Sequence, residues 1–212
     1  MNFKGIALAV LLVFFIYVEN VNAAGFALYE WGARGTAMGG TMIGRADDPS
    51  AVAYNPAGIT QLEGTQLLGG FSVVAPSGKI ETPGDSTKIK TNYWIPPHAF
   101  LTHQMTDKAW LGMGLYTRFG LGTEFDDNWP GRYNNQFTSV RSFSLNPNIA
   151  YKFTEEFSLA IGAEVMWFNF LQEKAVNTWV PNNRTFDVDG KLDGDSYGFG
   201  GNIALHYKPN DT

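Results

Sequence analysis

Four segments in the second half of the chain alternate apolar and polar positions with a period of two. In FSLAIGAEVMWF, Phe157, Leu159, Ile161, Ala163, Val165 and Trp167 share one face, and Ser158, Ala160, Gly162, Glu164, Met166 and Phe168 share the other. FSLNPNIAYKF sets Phe143, Leu145, Pro147, Ile149, Tyr151 and Phe153 against Ser144, Asn146, Asn148, Ala150 and Lys152. WLGMGLYTRF and YGFGGNIALHY repeat the pattern, with Leu111, Met113, Leu115 and Phe119 in one and Tyr197, Phe199, Ile203, Leu205 and Tyr207 in the other. Runs of this kind are strands. Their length, about ten to twelve residues, is that of a tilted membrane-crossing strand and about twice that of a strand in a soluble sheet.

Two earlier stretches, 65–74 and 93–103, read as less regular strands, the second disturbed at its start by Pro96 and Pro97. That makes six strands. Short polar turns at 105–108 and 154–156 alternate with long links at 75–92, 121–140 and 171–196, the arrangement of outer-membrane barrels. Trp110, Phe153, Phe157, Trp167 and Tyr207 stand near strand ends, where interfacial aromatics belong. A secreted β-sandwich also alternates, but it carries shorter strands and more charge on its wet face.

Composition agrees with the barrel. The 212 residues are 17% charged, against about 25% in soluble proteins, and 15% aromatic. A formal charge of -5 with no basic cluster argues against nucleic acid as a partner. The chain has no Cys, which removes disulfides, thiol nucleophiles and Cys-based metal sites. Lys4, the apolar run 6–18 and Val21, Asn22 and Ala23 make a secretory signal over 1–23, cleaved before Ala24. The run is too short for a membrane-spanning anchor, which needs about 20 apolar residues.

Residues 24–60 do not alternate. Gly32, Gly35, Gly39, Gly40 and Gly44 interrupt small apolar residues, and Asp48 before Pro49 and Asn55 before Pro56 read as caps, with short helices expected at 35–42 and 49–54. Such a backbone is not viable against lipid, so it is expected inside the barrel as a plug. Its charges, Glu30, Arg34, Arg45, Asp47 and Asp48, are expected either to pair with Arg118, Lys152 and Glu164 of the wall as a latch or to remain solvated.

The segments AGFALYE, GTAMGG, ADDPSAVAYNPAGIT and FGLGTEFDD, in that order, resemble the FadL family of outer-membrane long-chain fatty acid transporters. The resemblance implies an all-β fold, a transmembrane antiparallel β-barrel of fourteen strands with an N-terminal helical hatch. The hatch would span 24–60, and 61–212 would supply about the first six strands of a longer protein. It further implies passive uptake of a long-chain fatty acid or aromatic hydrocarbon through a lateral opening, contact with membrane lipid, and a monomer when full length, in the bacterial outer membrane and without a cofactor. The matching positions for ligand binding and gating are Phe26 at the mature N-terminus, Asn55, Pro56 and Ala57 in the hatch, and Arg118, Phe119 and Gly120 at a kink in the third strand.

Local chemistry bears on three of these. Gly120 permits a bulge that breaks ladder pairing, or simply ends a strand. Asn55 caps the turn at Pro56. Phe26, beside Gly25, enters an apolar pocket or packs on the wall. No enzyme is expected: His98, His103 and His206 lack metal-ligand spacing, and neither H-E-x-x-H nor G-x-S-x-G occurs. The acidic run 187–195 misses the EF-hand spacing and reads as a solvated loop. A general porin or adhesion barrel and an outer-membrane lipase are the competing functions.

Overall fold

Strands of the expected length fold into one antiparallel meander. The structure, a computed structural model, describes residues 27–82, 84–180 and 184–209. The expected signal segment 1–23 and Phe26 lie outside the described residues. The strands are β1 (Thr65–Phe71), β2 (Lys79–Thr82), β3 (Asp85–Lys88), β4 (Pro97–Gln104), β5 (Ala109–Tyr116), β6 (Gly122–Glu124), β7 (Phe137–Lys152), β8 (Phe157–Val180) and β9 (Arg184–Tyr207). The main sheet runs β1-β4-β5-β7-β8-β9, with β6 also paired to β7, while β2 and β3 form a separate hairpin in the link between β1 and β4.

Burial along the strands is inverted relative to a water-soluble sheet. The covered face carries Thr102, Ser144, Asn146, Asn148 and Ser158, and the open face carries Leu111, Met113, Leu115, Ile149 and Ile161. Asn146 is 1% exposed where Ile161 is 61% exposed. Only an apolar medium makes that distribution favourable. Two aromatic rows bound the open face. Phe143, Trp167 and Tyr197 are cross-strand partners on β7, β8 and β9, with the first two rings stacked at 6.1 Å. Tyr151, Phe153 and Phe157 cluster at the other end, with centroids 4.9 and 6.0 Å apart. From Phe157 to Trp167 is about ten steps of roughly 3.3 Å, tilted by about 40°, which rises about 25 Å, the height of a hydrocarbon-facing band.

One expected loop is absent. The β8–β9 ladder runs unbroken from the pair of Phe157 and Tyr207 to that of Val180 and Arg184, so most of 171–196, including the acidic run 187–195, is strand. Beyond the upper aromatic row the backbone ladder continues, and in β9 Phe186, Val188 and Leu192 still alternate with Asp187, Asp189, Lys191 and Asp193; the charged half of that alternation is what reads as a loop. The link 121–140 is likewise shortened by β6 and the start of β7.

The N-terminal segment packs on the covered face as α1 (Ala33–Ala37), α2 (Met42–Arg45), α3 (Ala51–Tyr54) and a 3₁₀ helix (Pro56–Gln61). Ala46, Ala51, Val52, Ala57, Ile59 and Leu62 meet Phe100, Trp110, Tyr116, Ala150 and Ala160 of the sheet in one core. Gly112 and Gly114 form the notch: a Cβ on either would come 2.8–3.0 Å from Val52.

An arginine at Ile161, midway between the aromatic rows, is expected to destabilise the full-length protein in vesicles by about 2–4 kcal/mol, and one at Val176, above them, by under about 1 kcal/mol. Urea titration of folding into lipid vesicles measures both.

Candidate functional site

The ladder between the third and fourth long strands is broken once. β5 pairs with β7 as far as Tyr116 opposite Ser144, and β6 resumes at Gly122 opposite Ser139. Between these pairs, residues 117–121 face residues 140–143, so one strand carries an extra residue, the count of a β-bulge. Leu121 takes a left-handed φ of 81°, a conformation disfavoured for a side chain with a Cβ. The kink is held by a side chain in place of a ladder partner. Ser142 Oγ accepts the Phe119 N–H at 2.8 Å and donates to the Phe119 carbonyl at 2.7 Å, while the Val140 N–H donates to the Leu121 carbonyl at 2.8 Å.

The other edge of the kinked segment is taken up by the chain's own N-terminal residues. Ala27 bridges Phe119 in antiparallel fashion, and the Leu28 N–H donates to the Arg118 carbonyl at 2.8 Å. Gly120 gives Leu28 its room, since a Cβ there would stand 3.1 Å from the Leu28 side chain. A cavity of about 370 Å³ lies at the break. It is lined by Leu28, Thr117, Val140 and Ser142 from the covered side and by Tyr93, Ile95, Arg141 and Phe143 from the open side. A cavity bordered from both faces lies within the thickness of the sheet.

Arg118 is fixed within the break. Its guanidinium makes two bonds to Glu164, at 2.8 and 2.7 Å, and a third to Tyr116 Oη at 2.8 Å. It also stands 5.4 Å from the Trp31 ring. Trp31 in turn donates its indole N–H to the Thr117 carbonyl at 2.8 Å and packs 5.1 Å from Tyr54 and from Tyr116. The expected ion-pair latch does not form: Arg34 and Arg45 pair with Asp47 inside the N-terminal segment, at 3.1 and 2.7 Å, and Arg118 pairs with Glu164 inside the sheet. Arg34 and Arg45 find their acidic partner within the N-terminal segment and Arg118 finds its own within the sheet, while the two layers meet through apolar packing, through bonds such as Ser158 to the Ala57 carbonyl, and through the Trp31 ring.

Asn55, Pro56 and Ala57 lie in a separate cluster near the opposite end of the strands. Asn55 Nδ2 donates to the Ile43 and Leu205 carbonyls at 3.0 and 3.1 Å, and its Oδ1 accepts the Ala57 N–H at 3.2 Å. Pro56 opens the 3₁₀ helix, and the Ala57 carbonyl accepts Ser158 Oγ at 2.8 Å. Of the residues singled out from sequence, Arg118, Phe119 and Gly120 come together at the break, and the Asn-Pro-Ala triplet does not join them. Leu28, Trp31, Trp94 and Ser142 were not singled out; a tryptophan in a glycine-rich segment, as at Trp31, is the one signal that marks any of them.

The profile of the outer membrane protein transport protein family (OMPP1/FadL/TodX) matches residues 15–212. The chain belongs to this family. Similar relatives include the long-chain fatty acid transport protein of Escherichia coli O6:H1, 25% identical over 88% of this chain and 47% of its own. The 47 kDa outer membrane protein of Pasteurella multocida is 30% identical over 92% of this chain and 49% of its own. The crystal structure of a Pseudomonas aeruginosa FadL homologue superposes with a TM-score of 0.58, at 19% identity, over 88% of this chain and 50% of that one. The chain therefore spans about half the length of the relatives it matches, and its sheet is part of a β-barrel wall in the bacterial outer membrane.

Above this family's barrel wall, polar contacts tie the links together. Glu124 accepts from Asn92 at 2.9 Å and from Lys90 at 3.0 Å, and these hold its carboxyl below the ordinary 4.5. Arg132 donates to Asp187 at 2.8 Å and, with Asn177, holds that carboxyl below 3.8.

A carboxylate whose value is lowered by folding stabilises the folded form above its unfolded value and stops doing so as pH falls through the lowered one. The tie between the 126–136 link and the β8–β9 hairpin is thus expected to hold at pH 5–7 and to release only below about 3.8. Limited proteolysis across pH reads it: Asp187→Asn should raise cleavage in the link at pH 5–7 to the low-pH level of the wild type, with the bond of the Ala175 N–H to the Arg132 carbonyl still in place. Asn55→Ala leaves the Ala57 N–H without its acceptor and the Ile43 and Leu205 carbonyls without their donor, which is expected to weaken local protection of 43–62 by about 1–3 kcal/mol in hydrogen exchange.

Proposed function

We propose that the full-length protein takes up hydrophobic molecules, long-chain fatty acids or aromatic hydrocarbons, passively across the outer membrane. In this reading residues 24–60 are a hatch in the barrel, and the break at 117–121 is a lateral opening through which cargo leaves the lumen for the bilayer. The observation that carries it is the cavity within the wall, bordered from both faces and stopped on the inner side by Leu28. The names of relatives support the cargo class: one is a long-chain fatty acid transport protein, and a solved neighbour is the toluene transporter TodX of P. putida.

The geometry suits such a passage. A closed ladder offers no gap, because each backbone group in hydrocarbon needs a partner. Here the free edge is covered by Ala27 and Leu28, two residues of a terminal segment rather than a full strand. Their withdrawal opens a hole without breaking the β5–β7 ladder. Ser142 keeps the opposite edge paired through Phe119, and Arg118 with Glu164 and Trp31 holds the lip rigid. The Asn-Pro-Ala cluster serves as the fixed anchor of the hatch. Cargo leaves by partition alone, since an apolar surface gains about 25 cal/mol per Å² on moving from water to hydrocarbon.

Ala27 and Phe119 are antiparallel bridge partners, at a separation a disulfide spans, and this chain has no cysteine of its own. In the full-length protein, A27C together with F119C is expected to cut oleate uptake to near background when oxidised and to restore it on reduction. Wild-type uptake by the oxidised form would remove the lateral opening from the reading.

A further inference from the structure

Two of the residues that line the cavity in the wall carry donors with no partner among the described residues. The Trp94 indole N–H is buried without a hydrogen-bond partner. Its ring is held in place: the backbone pairs with Val74 in both directions at 2.9 Å, the ring stacks on Phe137 at 6.5 Å, and it covers Gly122, where a Cβ would come 2.7 Å from a ring carbon. An orphaned donor on a fixed ring is unfavourable unless something external accepts from it.

The second donor is Arg141. It stands exposed on the open face of β7, two residues above Phe143 of the upper aromatic row, at the height where lipid head groups begin. Among the described residues it makes no ion pair, whereas Arg34, Arg45, Arg118 and Arg132 all do. No acidic residue lines the cavity, whose remaining walls are largely apolar: Leu28, Ile95, Leu121, Val140 and Phe143.

An exposed guanidinium and a buried indole N–H on the lining of one apolar cavity, with no carboxylate among its lining residues, suit one chemistry. We propose that Trp94 and Arg141 form a station for the anionic head group of an amphiphile at the lateral opening, with the tail lying against Leu28, Leu121 and Phe143. The proposal rests on the reading of this break as the exit, and adds that the exit favours an anionic amphiphile over a neutral hydrocarbon, which satisfies neither donor. The head group comes from a carboxylate cargo or from an anionic lipid of the surrounding leaflet.

Two arms test it on the full-length protein with W94F, which keeps the ring and removes the donor, and R141Q. In neutral detergent, isothermal titration with oleate and with toluene reads cargo. Each variant is expected to lose about five- to tenfold in oleate affinity, with toluene affinity unchanged. In nanodiscs of phosphatidylcholine with phosphatidylglycerol, native mass spectrometry reads lipid: phosphatidylglycerol retained by the wild type and lost from R141Q marks the membrane as the source. A loss in either arm supports the station. Oleate and phosphatidylglycerol both indifferent to R141Q and W94F, or toluene weakened in step with oleate in both variants, overturns it. A wild type that binds neither oleate nor toluene removes the transport reading and this inference together, whereas normal wild-type binding with indifferent variants removes the inference alone.

Discussion

A backbone amide or carbonyl in hydrocarbon has no water to turn to, so a barrel wall must pair every one of them. The rest of the structure follows from how this requirement is met where the wall is irregular. At 117–121 one strand holds a residue more than its partner, and the ladder between them lapses. The Ser142 hydroxyl takes both polar groups of Phe119, and Leu28 takes the carbonyl of Arg118. One of these substitutes belongs to a neighbouring strand and stays. The other, Leu28, belongs to the segment that precedes the first helix, and the proposed route requires that it withdraw.

The same requirement divides the N-terminal segment into two parts. The part from Asn55 to Leu62 is bound tightly: Asn55 uses its amide in three bonds, Ser158 holds the Ala57 carbonyl, and Trp110 donates to the Leu62 carbonyl at 2.7 Å. The part from Ala27 to Trp31 touches the wall through two backbone contacts, the bond of Ser72 Oγ to the Glu30 carbonyl at 2.9 Å, one indole bond, and the packing of Trp31 against Tyr116 and the Arg118 guanidinium. Gly39 and Gly40, both with left-handed φ of 62° and 82°, lie between them. Under the proposed uptake route the first part anchors the hatch, the two glycines are its joint and the second part is its movable end.

The strands were legible because period-two alternation is strong where one face meets hydrocarbon and the other a packed lumen, as along 143–153 and 157–168. It was masked above the upper aromatic row, where Phe186, Val188 and Leu192 alternate with acidic residues that read as a solvated loop, and where the Val176–Val188 pair and the bonds of Asn177 to Asp187 and Asn169 to Asp193 join the backbone ladder in holding β8 to β9. The break was half legible. Gly120 signals a bulge, but nothing in TSVRSFS reveals that Ser142 replaces a ladder partner, since a serine in a strand looks the same when it merely lines the lumen. Long-range matches were invisible too. The bond of Asn55 to Leu205 joins residues 150 positions apart, and the preference of Arg118 for Glu164 over the charges of the N-terminal segment depends on which side chains share a layer.

The direct measurement is the distance between spin labels at Tyr29, on the N-terminal stretch, and Phe143, on the open face beside the cavity, in the full-length protein in nanodiscs. With Ala27 and Leu28 acting as a removable edge, saturating oleate lengthens and broadens that distance while a reference pair within β7 and β8 stays constant. A distance unchanged by oleate, under conditions where oleate is taken up, would mean that the terminal segment is a fixed part of the wall and that cargo leaves elsewhere.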